Sequence, residues 1–235
     1  MSPVILAFEA STKHLSVAVY VNRSVQTMQK IEAPFGQAAK LVPLALRALA
    51  DVGVKFSNLS HVAAGRGPGS FTGLRVSLAA AKGVCLAHNI IGLGISGLEA
   101  LAFSSSASLN GLPVLCITDT RRGNVYAQLF GNDLTPKGVI FEAEINQLPS
   151  LLPASACANG LMLAGFEVLA VKAAFEANGM AAKPVRFEED QDALNVDAGM
   201  IATMAAQKIM FGDFPPLTPL YLADPNLGPK KQQPV

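Results

Sequence analysis

The chain has 235 residues, of which 51% are hydrophobic and only 15% charged, with a net charge of +1 and a mean hydropathy of +0.37. That composition excludes a disordered chain, and with no basic run longer than Arg121-Arg122 or Lys230-Lys231 it argues against autonomous nucleic-acid binding. So few charges leave an unusually apolar surface, which is the mark of a chain that meets another subunit.

Met1-Ser2-Pro3 has no basic flank and 4–8 is too short for a signal segment, so a cytoplasmic protein is expected. Residues 4–8 read as a buried strand. Leu15, Val17, Val19 and Val21 alternate along a second strand, and Asn22-Arg23 turns into a third over 24–31. A helix follows over 37–52, with Pro43 able to delay or kink it, then a strand at 62–64, a helix over 71–88, a strand at 90–93 and a helix from Ser96. After Ser104-Ser105-Ser106 the same order returns: strands at 114–118, 124–130 and 138–144, a short helix over 145–152, a strand at 161–164, a helix over 166–178, a strand at 184–187 and a helix over 194–211. Asn146, Gln147, Pro149, Pro153 and Asn159 break the longest uncharged segment, 145–166, which argues against a membrane span. The expected fold is α/β, a duplicated βββαβαβα with halves at 1–106 and 107–235, the last helix being a candidate to pack back on the first half.

Both halves open on a strand that ends in an acid, Glu9 and Asp119. A cleft between the halves, beyond the carboxyl ends of these strands, would be lined by Glu9, Ser11, Thr12, Asp119 and Arg121; two turn-capping acids is the other reading of the pattern. The stretch Gly65-Arg66-Gly67-Pro68-Gly69-Ser70-Phe71-Thr72-Gly73-Leu74-Arg75 is a strand end, a rigid turn and a helix start. Ser70 or Thr72 can cap that helix, and Arg66 and Arg75 add charge. On spacing alone it reads equally as a tight helix start and as a dock for an anion or a partner's carboxylate. It is neither a Walker A loop nor a Gly-x-Gly-x-x-Gly turn.

The helices on either side carry apolar rows in excess of what one core needs. On 71–88, Phe71, Leu74, Leu78, Ala81 and Cys85 form a seam flanked by Ala79, Ala80 and Gly83. On 37–52 one row is Ala38, Val42, Ala45, Leu49 and Val52, and a second is Leu41, Leu44 and Ala48. A subunit interface is expected there, built from Leu41, Leu44, Ala48, Leu74, Leu78, Ala79, Ala80 and Ala81. His14, His61 and His88 are unpaired in sequence, so no metal site is legible, although His14 lies close to Ser11 and Thr12. Cys85, Cys116 and Cys157 read as reduced core thiols. No nucleophile elbow is present.

The run 67–75 resembles the bacterial TsaB family, also called YeaZ. The resemblance extends through Ile5-Leu6-Ala7-Phe8-Glu9-Ala10-Ser11-Thr12, Leu41-Val42-Pro43, 94–101, 119–126 and the tail Pro219-Leu220-Tyr221-Leu222. It implies the actin/Hsp70/sugar-kinase-like fold and a part in making threonylcarbamoyladenosine beside the tRNA anticodon. The family's catalytic paralogue, TsaD, has two metal-binding histidines four apart where this chain has Gly97 and Leu101. The resemblance therefore implies a non-catalytic subunit that pairs with TsaD and an ATPase, TsaE, is a homodimer when alone, and meets tRNA only through the complex. It implies no cofactor of the chain's own, with a nucleotide held between subunits left open. Two positions depart from the family pattern: Glu9 stands where Asp is usual, and Gln37-Ala38-Ala39 where His-Ala-Glu is frequent. The competing reading is an independent ATP-dependent transferase or kinase that uses Glu9 and Asp119.

Overall fold

The computed structural model describes residues 2–33, 35–185 and 195–222. The first half opens with β1 (Ile5–Glu9), β2 (His14–Val21) and β3 (Ser24–Glu32), an antiparallel meander; β4 (His61–Gly65) and β5 (Ile91–Ile95) then add in parallel, giving the order β3-β2-β1-β4-β5. The second half repeats this with β6 (Val114–Asp119), β7 (Val125–Phe130), β8 (Phe141–Ala143), β9 (Leu161–Gly165) and β10 (Ala182–Pro184), in the order β10-β9-β6-β7-β8. The duplicated α/β order legible in the sequence is the order of the structure.

Helix α1 (Gln37–Asp51) runs unbroken through Pro43, and α2 (Phe71–His88) takes the expected span with Ser70 as its cap, the Ser70 hydroxyl accepting from Gly73 N at 3.3 Å. Both helices pack on the outer face of the first sheet. Their core there includes Leu6, Phe8, Val17, Val62, Leu41, Leu44, Ala48, Leu78 and Ala81. The short helices α4 (Leu148–Leu151) and α5 (Ala154–Cys157), with α6 (Val168–Ala177), belong to the second half, where α6 covers the outer face of its sheet with Val168, Val171 and Phe175. Between the sheets lie α3 (Gly97–Ser105) and α7 (Ala198–Met210), around a core of Ile5, Leu93, Leu98, Leu101, Cys116, Phe130, Ile201 and Ala205. The two are exchanged: α3, from the first half, packs on β6, β7 and β9, while α7, from the second, packs on β1 to β5. An ion pair of 2.7 Å between Lys208 and Glu99 joins them.

Several boundaries differ from the sequence reading, β10 among them at Ala182–Pro184 rather than 184–187, and three of the differences have a local cause. β8 is shorter than 138–144, because Gly138 takes a positive φ (136°) and Pro136 bridges to Phe130 ahead of it. α6 starts at Val168 because Gly165 and Glu167 turn through positive φ first. α7 starts at Ala198, capped by Asp197, whose carboxylate accepts from Met200 N at 3.0 Å. Parts of the strand expected at 184–187 and of the helix expected from 194 lie outside the described residues. Among the described residues no helix is long and apolar enough to cross a membrane. The cysteines are free thiols, and burial pushes that of Cys116 far up.

Candidate functional site

Between the halves, at the carboxyl ends of β1 and β6, lies a cavity of about 340 Å³ lined by Ser11, Thr12, Thr118, Asp119, Arg121, Gly165, Phe166, Glu167 and Asn195, among others. The turn after β1 contributes its hydroxyls. The turn after β6 contributes Asp119, which accepts from Arg121 N at 2.7 Å and pairs with the Arg121 guanidinium at 3.6 Å. The structure thus brings together four of the five residues expected to line the cleft.

Glu9 is the exception. It is 1% exposed and lies outside the lining, its side chain turned into the fold. One oxygen accepts from Ser11 N; the other lies over the bare α-carbon of Gly65 with no hydrogen-bond partner among the described residues. Burial pushes this carboxyl up to about 7 against the pull of the Ser11 and Ala10 bonds, and the Asp197 charge adds to the rise. Glu9 and Asp119 therefore do not face one another as two free carboxylates: the first is sealed in and the second is paired. Among the described residues no three His, Cys, Asp or Glu side chains are grouped as metal ligands would be. His14 is buried near Glu32 (3.8 Å), His61 stacks on Phe214, and His88 stacks on Phe56.

The glycine-rich turn is a packing joint. Gly67 and Gly69 take φ of 101° and 154°, which lets the turn lie against Ser11 and Leu74. The Ser70 N–H donates to the Ser11 carbonyl at 2.8 Å, the Arg66 N–H to that of Ile95 at 2.9 Å, and Gly73 sits hard against the Ala10 carbonyl. Both arginines make contacts within the chain, although the buried Nε of Arg66 has no hydrogen-bond partner among the described residues. Arg66 donates to Thr218 at 3.4 Å, and Arg75 donates to the Tyr221 hydroxyl at 3.2 Å while covering the Phe71 ring at 3.9 Å. The tight-helix-start reading of this stretch is the one the geometry supports.

The expected interface needs correction residue by residue. Leu41, Leu44, Ala48, Leu78 and Ala81 are buried because the first sheet takes the stripe of each helix that faces it, and Leu74 is buried beside Gly67 of the glycine-rich turn. Ala79 and Ala80, with Ala38, Val42, Phe71, Thr72, Arg75 and Val76, line an apolar groove of about 490 Å³ between α1 and α2, and Leu41 also lines it. Around it stand exposed side chains outside the expected set: Phe35 (85%), Leu46 (54%) and Leu86 (86%), with Val42 itself at 56%. The outward face is real, but it is made by the neighbours of the core stripe.

A family model described as TsaD: tRNA N6-adenosine threonylcarbamoyltransferase matches residues 36–145. The tRNA threonylcarbamoyladenosine biosynthesis protein TsaB of Buchnera aphidicola (subsp. Schizaphis graminum) is 31% identical over 54% of this chain and 60% of its own length. The matched stretches thus take in little more than half of such TsaB relatives, 52% for the Escherichia coli protein. An uncharacterized protein of Mycobacterium tuberculosis (strain H37Rv) is 31% identical over 82% of this chain and 77% of its own. YeaZ from Pseudomonas aeruginosa superposes with a TM-score of 0.73 at 22% identity, covering 94% of this chain and all of that one. Component A of the (R)-2-hydroxyglutaryl-CoA dehydratase of Acidaminococcus fermentans superposes more distantly, with a TM-score of 0.51 at 11% identity over 88% of this chain. With its glycine-rich turn seated between the β1 turn and α2, two mixed sheets in repeated order and these relatives, the chain belongs to the TsaB (YeaZ) family and has the actin/Hsp70/sugar-kinase-like fold.

Proposed function

We propose that this chain is the non-catalytic scaffold and activator subunit of the cytoplasmic complex that transfers a threonylcarbamoyl group to the adenosine beside the tRNA anticodon. It pairs with TsaD, works with the ATPase TsaE, and reaches tRNA only through the complex. The observation that carries this reading is the apolar face of α1 and α2, which stays exposed among the described residues. Lys40, Arg47, Arg75 and Lys82 stand on these helices against one acid, Asp51, which already accepts from Gln29 and Thr27. A partner bringing carboxylates around an apolar centre suits this rim better than a second copy does, so homodimers of the free chain give way to TsaD. Gly97 and Leu101, where the resemblance puts the histidines of TsaD, are both buried on α3, with Gly97 against Val196.

The test is a charge at the centre of the face. Val42→Glu and Ala79→Glu should each weaken capture of purified TsaD by about a hundredfold, because a desolvated carboxylate without a partner is costly. Circular dichroism should remain unchanged, since both side chains point away from the core. Undiminished capture by both variants would move the interface elsewhere.

The competing reading, an independent ATP-dependent transferase or kinase, takes support from the interlobe cavity, which lies near the small end of the ~300–1,000 Å³ range of ligand pockets. The buried Glu9 and the paired Asp119 weigh against it. The purified chain alone is expected neither to hydrolyse ATP appreciably nor to modify tRNA, and modification should appear when TsaD and TsaE are added. Steady ATP turnover that persists through repurification would favour the competing reading. A nucleotide held between subunits needs no cofactor site in this chain alone.

A further inference from the structure

The tail Pro219-Leu220-Tyr221-Leu222 has no role in the function above, yet the chain is built to receive it. After α7 the backbone doubles back as segment 214–222, which bends at Leu217, over the edge strand β5 and the glycine-rich turn. Gly94 N donates to the Pro215 carbonyl at 2.9 Å, and Leu220 N donates to that of Arg66 at 2.8 Å. Leu217 joins the core under α1 and α2 and lies over Gly92. A glycine inside a strand usually weakens it, unless another backbone must come close. Here a Cβ at Gly94 would run into the Pro216 carbonyl and one at Gly92 into Leu217, so the two glycines of β5 form the bed of this segment. Pro215, Pro216 and Pro219 limit what the segment can do when it is not seated.

Its end reaches the docking groove. The Tyr221 ring packs on Phe71 with centroids 5.2 Å apart, and its hydroxyl accepts from Arg75 at 3.2 Å. Phe71 and Arg75 both line the groove. We propose that segment 214–222 is a clasp that sets the lip of the docking groove, with Tyr221 as a positioning residue that holds Phe71 and Arg75 in the arrangement the partner meets. This rests on the pairing with TsaD proposed above. The physical gain is preorganisation: an arginine already fixed between a ring and a hydroxyl has less rotamer freedom to lose when the interface closes. The chemistry that recognises the lip is a carboxylate for the guanidinium edge beside an apolar contact for the two rings.

The experiment uses the full-length chain titrated into purified TsaD, with Val42→Glu as the reference for the face itself. Tyr221→Ala should weaken pairing by about tenfold and Tyr221→Phe, which keeps the ring and loses the hydroxyl, by less. Gly94→Ala should also weaken it by about tenfold, because it unseats the clasp at its other end without altering the residues Tyr221, Phe71 and Arg75 themselves. Thermal melts identify any variant whose fold is lost, and pairing by the variants that stay folded then decides the matter. If Val42→Glu abolishes pairing while folded Tyr221→Ala and Gly94→Ala pair within about twofold of the parent, the clasp is packing alone and the proposal fails. If Val42→Glu pairs like the parent, the face is wrong and the clasp's role falls with it.

Discussion

Replacing Glu9 with Gln is expected to stabilise the protein by about 3 kcal/mol at pH 8 and by almost nothing at pH 4, a pH dependence that a simple packing change would not produce. Glu9 is fully buried, and its carboxyl is raised from 4.5 to about 7, chiefly by desolvation. Below the unfolded value both states hold the proton and the charge costs nothing. As pH rises from 4.5 towards 7 the unfolded chain gives up its proton while the folded chain keeps it, so stability falls across that window. Above it the folded protein carries a sealed carboxylate, and the cost is complete. Glutamine has no charge to bury, and its carbonyl can still accept from Ser11 N. Urea denaturation of both proteins at pH 4, 6 and 8 checks this; an equal gain at all three would show that ionisation of Glu9 is not what limits stability.

The second large effect concerns two glycines of one helix and has opposite signs. Gly73→Ala should destabilise the fold by about 3 kcal/mol, at the costly end for overpacking. Its Cβ would sit inside the contact distance of the Ala10 carbonyl, and neither the end of β1 nor the start of α2 can move without disturbing Ser70 and Ser11. Gly83→Ala, further along α2, meets nothing within 4 Å and should stabilise the free chain by up to about 1 kcal/mol through helix propensity. Chemical denaturation of the two variants side by side separates a glycine required for close approach from one that is not. Equal effects would mean that the Ala10 contact has no consequence.

The span of α2 was legible in the sequence because Ser70 caps it and its apolar spacing does not lapse before His88. The repeat was legible because strand lengths and turn residues recur in the same order. What was not legible is which part of an over-wide apolar arc the sheet would take. On α1 the apolar positions from Leu44 round to Leu46 cover more than half the circumference; the sheet buries Leu41, Leu44, Ala45, Ala48 and Leu49, and Val42 and Leu46 overhang. The width of the arc is what the expectation of a partner rested on. The choice of residues depended on the tilt of the helix against the sheet. Glu9 was misplaced for a related reason: its surroundings are set by the parallel pairing of β1 with β4, which brings Gly65 beside it from far along the chain. The tail was visible as a family feature, but where it lies depended on the return path after α7.

The exchange of α3 and α7 means that duplication did not leave two separable lobes. A fragment ending before residue 107 would lose the α7 residues Ile201 and Ala205 from the inner side of β1 to β5, while the remaining piece would lack Leu98 and Leu101 against β6 and β9. Each lobe completes the other, as interlocked pieces do. A recombination or fusion that keeps the fold must therefore carry the whole chain from β1 through α7, and inheritance of one lobe alone would transmit a sheet with one face exposed to water.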